Sequence, residues 1–230
     1  MSYVNIADRV APAVAITAVP GGQNSAGFNL LFETSDITGA VMPFERNAEI
    51  FGDSEPADYV YKVVSGAVRT YRVLSDGRRQ IDAFHLPGDM FGLELGEKHA
   101  CSAEAVTSAK VLLVRRSSLL SASQRDGEIA RKLWALTAQQ LRRSQDHALL
   151  LIKSAQERVA AFLLEMAKRL RDASSVDLPM SRQDIADYLG LTIETVSRTL
   201  TQFEDQSTIE LLASRRIALR NPTALRQLNS

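Results

Sequence analysis

A carboxylate, a hydroxyl and a guanidinium stand at Glu194, Ser197 and Arg198, inside a run that reads as one helix from Thr192 onward. At 100° per residue Val196, Leu200 and Phe203 share its inner face. Glu194, Ser197, Arg198 and Thr201 are left outward, close to the helix N-terminus. That set has the chemistry to read base edges in a DNA major groove. The planar fork of Arg198 matches guanine O6 and N7, Glu194 can accept from a cytosine amine, and Ile193 or the Thr195 methyl can touch a thymine methyl. Ser197 belongs with these readers, and its hydroxyl also suits a phosphate. Ser181, Arg182, Thr192, Thr195, Thr201 and Arg215 are better matched to the DNA backbone, where contacts position a protein without specifying sequence.

The elements that must hold these groups can be read outward from them. Ser181 and Asp184 form a Ser-x-x-Asp capping box that opens a preceding helix. Ile185 and Leu189 would be its buried face, with Ala186 small where two helices approach closely. Gly190 supplies the left-handed backbone of a tight interhelical turn, Thr192 caps the second helix, and Glu194 in its first turn favours the helix dipole. A hairpin from Thr208 to Leu219, with Ser214-Arg215-Arg216, would form a wing beside the groove, and a last turn of helix opens near Asn221-Pro222.

Upstream, Val159, Phe162, Leu163, Met166 and Leu170 mark one face of a helix that Ser174-Ser175 breaks. Before it, helical periodicity begins near Asp126. Ile129, Leu133, Leu136, Gln140, Arg143, His147 and Leu151 fall on one face, with Trp134, Ala138, Leu141, Ala148 and Ile152 nearly opposite. Two partly apolar faces need two partners: a β-domain and the same helix of a second subunit, with the Gln140, Arg143 and His147 seam polar enough to specify the pairing, or other parts of a monomer. From about Phe28 to Arg116 the texture is β-rich. Tyr59–Val64, Val68–Val73 and Gln80–His85 are strand-like, separated by Ser65-Gly66, Asp76-Gly77 and Pro87-Gly88-Asp89. Residues 1–27, with Pro12, Pro20 and Gly21-Gly22, show no sustained period and read as a mobile arm.

Composition narrows the function classes. Formal net charge is zero, but residues 1–125 carry 12 basic and 14 acidic side chains, and 126–230 carry 15 and 13. An excess of two positive charges in the second part is a weak footprint, so the case for DNA rests on residue placement. No apolar run approaches a membrane span and no secretory leader is readable. With the lone Cys101, this points to a reducing cytoplasm. There is no glycine-rich phosphate loop, metal-ligand spacing or nucleophile-base set, so no enzyme is expected. His85, His99 and His147 are not spaced as ligands. Cys101 is either a redox switch or a small packed side chain.

The chain beyond its first 27 or so residues resembles the CRP/FNR superfamily of bacterial transcription regulators. The resemblance is carried by Met180–Phe203, Tyr59–Val68, Asp76–Gln80 and Pro87–Gly92. It implies an α+β fold: a β-roll sensor-like domain at 28–125, a dimerisation helix at 126–152 and a winged helix-turn-helix domain at 153–230. Glu194, Ser197 and Arg198 match the Glu-x-x-Ser-Arg pattern of the FNR and FixK branch, which implies a homodimer on a palindromic TTGA...TCAA operator. By resemblance it also implies activation through RNA polymerase, touched by loops such as Gly52–Asp58 and Ser75–Arg79. Relatives that bind cyclic nucleotides hold the phosphate with an Arg-Ser pair and the ribose with a glutamate after the roll glycine. Here Cys101-Ser102 or Ser102-Ala103 stands in the first place and Leu93 follows Gly92, so no cyclic AMP is expected. One cysteine cannot hold an iron-sulfur cluster, so no cofactor is expected. The alternative is a ligand-gated receptor whose β-roll takes a small effector.

Overall fold

The computed structural model of the chain describes residues 39–170 and 174–228. The expected arm and the first residues of the β-rich region lie outside them. The chain divides into two compact units. One runs up to Arg72 and resumes over Ala83–Leu141; the other comprises Val73–Asp82 and the chain from Arg142 onward.

The first unit is built on two four-stranded antiparallel sheets. One has the order β1 (Gly39–Phe44), β8 (Ala109–Arg115), β3 (Tyr59–Ser65), β6 (Met90–Phe91). The other has the order β2 (Glu49–Phe51), β7 (Ser102–Ala105), β4 (Val68–Val73), β5 (Arg79–His85). In the β3–β8 register Tyr61 lies opposite Leu113 and Val60 opposite Val114. Because side chains alternate along a strand, these pairs point to opposite faces. Tyr59, Tyr61, Val63, Val111 and Leu113 join Phe51, Val68, Phe91 and Ala103 in a core supplied by both sheets. Val60, Leu112 and Val114 point the other way, onto α1 (Arg116–Arg125) and the start of α2 (Gly127–Leu150), through Leu119, Ala122 and Ile129. Strand β3 is therefore covered on both faces, which explains its nearly unbroken apolar run. Gly66 turns β3 into β4 at φ +79°, where any Cβ would stand 2.4 Å from the Ser108 carbonyl oxygen.

The predicted division of the long helix into two faces holds, but the seam expected to specify subunit pairing is engaged within the chain: Gln140 Nε2 donates to the Met90 carbonyl and His147 Nε2 to the Tyr188 carbonyl. Ile129 is buried, and Leu133 and Leu136 pack against the same cluster. Trp134 and Leu141 are 78% and 59% exposed. Helix α1 was not anticipated: Arg115 gives it no side-chain cap, and few of its side chains are buried.

The second unit gathers α3 (Ala155–Leu170), α4 (Arg182–Leu189), α5 (Ile193–Asp205) and α6 (Pro222–Leu228) with a three-stranded sheet of order β10 (Ile209–Leu211), β11 (Arg216–Leu219), β9 (Ser175–Asp177). Val159, Phe162, Leu163 and Met166 of α3 are buried, as expected. Helix α3 packs on α5, α6 and β9. The expected hairpin forms, but it gains a third strand at the Ser174-Ser175 break: Val176 pairs with Ile217. Three residues carry too little periodicity to show as a strand before the partner is known.

Candidate DNA-reading site

The motif is assembled from caps inward. Ser181 Oγ accepts from the Asp184 backbone N–H, while Asp184 Oδ2 accepts from the Ser181 backbone N–H, completing the capping box of α4. Gly190 ends the helix at φ 62°, ψ 39°, the left-handed conformation the turn requires. Thr192 then caps α5, its Oγ1 accepting from the Thr195 N–H at 3.2 Å. Ile185, Ala186 and Leu189 of α4 and Val196, Leu200 and Phe203 of α5 are all buried. Thr199, not expected inside, is buried with them.

With that face packed, the opposite one is presented to solvent. Thr192, Ile193, Glu194, Arg198 and Thr201 are exposed; Thr195 and Ser197 are half-buried. No hydrogen bond or ion pair holds the Glu194 or Arg198 side chain among the described residues. A guanidinium and a carboxylate left without protein partners, on one outward helix face, keep their hydrogen-bonding capacity for another molecule.

The residues expected at phosphates are placed less uniformly. Arg182 donates from Nη1 to Ser197 Oγ at 3.3 Å, tying the start of α4 to the outward face of α5. Arg215 donates from Nη1 to the Pro179 carbonyl at 3.0 Å, which pins the hairpin to the loop before α4. Ser214 and Arg216 are exposed, whereas the Ser181 hydroxyl is engaged in its cap. Cys101 lies elsewhere, half-buried and packed against the core of the first unit.

Sequence reasoning missed the groups that anchor α4. Its last carbonyls, left over by helix geometry, are met by three side-chain donors. Arg158 Nη1 donates to the Leu189 carbonyl at 2.9 Å and also to Gly190. His147 Nε2 donates to the Tyr188 carbonyl at 2.8 Å, joined by Gln80 Nε2 at 3.3 Å. The His147 and Tyr188 rings stack with centroids 4.1 Å apart. Burial, with Glu165 nearby, pushes the Tyr188 hydroxyl far up, so it stays a neutral phenol. At the other end Arg79 reaches Asp184 and Asp187. The helical period of 126–152 put His147 in a seam expected to pair subunits, where it instead packs on Tyr188; Asp76–Gln80 stood out as a motif, but nothing in it marks Arg79 as a partner of α4.

Among the described residues no group of His, Cys, Asp or Glu side chains is placed to hold a metal, and no helix is long and apolar enough to cross a membrane.

Two capped helices joined by a left-handed glycine, backed by a small sheet, with Glu194 and Arg198 unpaired among the described residues on the outer face of the second, define a winged helix-turn-helix DNA-binding protein. Residues 157–228 match the Crp-like helix-turn-helix domain, and residues 41–126 match the cyclic nucleotide-binding domain. The chain is 55% identical over 193 residues to the nitrogen fixation regulation protein FixK of Azorhizobium caulinodans, covering 81% of this chain and 78% of the relative. It is 44% identical over 189 residues to FixK of Rhizobium meliloti, covering 82% and 86%. The solved structure of FixK2 from Bradyrhizobium japonicum superposes with a TM-score of 0.81 at 55% identity, over 84% of this chain and 98% of that one. The chain belongs to the CRP/FNR family of transcription regulators, on its FixK-like side.

Proposed function

We propose that the chain binds, as a homodimer, a palindromic operator of the TTGA...TCAA kind and activates transcription there in the cytoplasm by touching RNA polymerase. The observation that carries this reading is the outward pair Glu194 and Arg198, exposed and without protein partners among the described residues. Ile193 and Ser197 complete the base-reading set. Arg182, Thr192, Thr195 and Thr201 flank it toward the phosphates, with Ser181 and Arg215 beside them. A dimer joined along the exposed Trp134 and Leu141 face would have to present two such helices about 34 Å apart, one turn of DNA, to read both half-sites. The exposed residues Asp53, Ser54, Asp76 and Arg78 are surfaces for the polymerase. The role named for the FixK relatives, regulation of nitrogen fixation, extends to this chain on the same reading.

We infer further that no cyclic nucleotide controls it. A cavity of about 700 Å³ in the first unit is lined by Glu49, Asp53, Glu55 and Asp58 with Phe51 and Tyr61, and, among the described residues, by no lysine or arginine. Burial first, and then the charges of Glu55 and Glu104, raises the Glu49 carboxyl above its ordinary value. A cyclic phosphate would meet carboxylates where it needs a cationic fork. The cavity itself supports a second reading, control by a small uncharged or cationic effector.

The deciding experiment is selection of bound duplexes from a random library by the wild-type chain, followed by affinity measurements with and without cyclic AMP. Recovery of paired TTGA half-sites, indifferent to the nucleotide, is expected. Recovery of unrelated sequences, or a large gain on adding the nucleotide, would sink this assignment.

A further inference from the structure

Arg79 lies at the start of β5, in the hairpin tip that belongs to the second unit. Its Nη2 donates to Asp184 Oδ1 at 2.7 Å and its Nε to Asp187 Oδ2 at 2.8 Å. The two carboxylates are three residues apart on one face of α4, so one planar guanidinium spans almost a full helical turn. Each aspartate uses its other oxygen inside the motif. Asp184 Oδ2 accepts from both the N–H and the hydroxyl of Ser181, and Asp187 Oδ1 accepts from Gln183 Nε2. The neighbouring Gln80 donates to the Tyr188 carbonyl at the far end of the same helix. The tip therefore grips α4 at both ends.

We infer that Arg79 is a positioning residue for DNA reading. It acts through Asp184 and Asp187 to fix α4, and α4 in turn sets α5 through packing and through the Arg182–Ser197 hydrogen bond. The bridge has a second effect. Asp184 is buried and Asp187 half-buried within a motif that must approach phosphates, and Arg79 offsets both charges without touching DNA itself. This inference rests on the reading of α5 as the recognition helix.

The test uses the full chain and a duplex that the wild type itself selects from a random library. Arg79→Ala is expected to lower affinity about tenfold, within the range of coupled neighbours in one network, with the selected sequence unchanged. Arg79→Lys, which keeps the charge but not the fork, should recover part of the loss. In an Asp187→Ala background Arg79→Ala should cost distinctly less, because its route to the DNA is already weakened. The slope of log affinity against log salt should stay at the wild-type value, since no phosphate contact is removed. A purely stabilising role would lower the melting temperature and leave the folded chain's affinity alone.

A slope reduced by about one phosphate would make Arg79 a DNA ligand and overturn the inference. So would an equal loss in both backgrounds, or an Arg79→Ala affinity within twofold of wild type. Should Arg79→Ala fail to fold, Arg79→Lys and Asp187→Asn decide: both binding within twofold of wild type overturns it. A wild-type chain that selects no sequence overturns this inference together with the reading of α5, whereas a selecting wild type with indifferent variants overturns this one alone.

Discussion

Arg198 and Arg182 stand on the two successive helices of the motif and are expected to fail in different ways. Arg198 has no protein partner among the described residues and faces outward, so Arg198→Ala should cost about 1 to 3 kcal/mol on a TTGA-type site and relax selection at the guanine. Parallel selections with the two proteins would show it; identical base preferences would refute the assigned contact. Arg182 already donates to Ser197 and is suited to a phosphate. Its alanine variant should weaken all sequences alike and flatten the salt dependence by about one phosphate, which titrations at several ionic strengths would reveal. Glu194, Ser197 and Arg198 were legible because their roles follow from spacing along one helix. Arg79 was not. It meets its aspartates across 105 and 108 residues of chain, and neither periodicity nor capping leaves a trace of such a pairing.

The short helices owe their limits to a few side chains, and their predictions follow from those. Ser181→Ala removes the hydroxyl that accepts from Asp184 N–H and donates to its carboxylate, and should cost about 1 kcal/mol in thermal unfolding, as cap losses usually do. Leu200→Ala empties a buried position behind the reading face and should cost about 2 to 5 kcal/mol. Helix α3 carries a pH-dependent device. The Ser154 hydroxyl and backbone N–H hold the Glu157 carboxyl below its ordinary 4.5. Because the folded state lowers this value, its contribution is present above 4.5 and fades as pH falls through the folded value. Glu157→Gln should therefore lessen the loss of melting temperature between neutral pH and pH 3, a difference that scans at both pH values would detect. Caps and glycine turns could be read in advance because they are local. Strands β6 and β9, with two and three residues, and the weakly buried α1 could not, since only their neighbours make them regular.

For the molecule as a whole, the apolar surface of α2 matters most. The exposure of Trp134 and Leu141 follows from the same period that buries Ile129, and a second subunit is the occupant our reading of the function requires. Replacing both by glutamate should convert the dimer to monomers in sedimentation equilibrium and weaken operator binding, because the two half-sites would no longer be held at high effective concentration. A variant that stays dimeric would send the search for the interface elsewhere. The pattern of this helix marked its two faces but put the pairing seam on the one that packs within the chain, and the β-texture announced sheets. What it left hidden was that residues 73–82 are counted with the C-terminal unit.

That last assignment bears on how the regulator can be dissected. A truncation beginning at Arg142 would keep both helices of the motif and the wing, yet leave behind Arg79 and Gln80. Two aspartates would then repel each other across a single helical turn, and one carbonyl donor would be missing. Anyone wishing to work with an excised module should expect a frayed first helix and blunted operator affinity, unless the missing ten-residue tip is spliced back or supplied as a peptide.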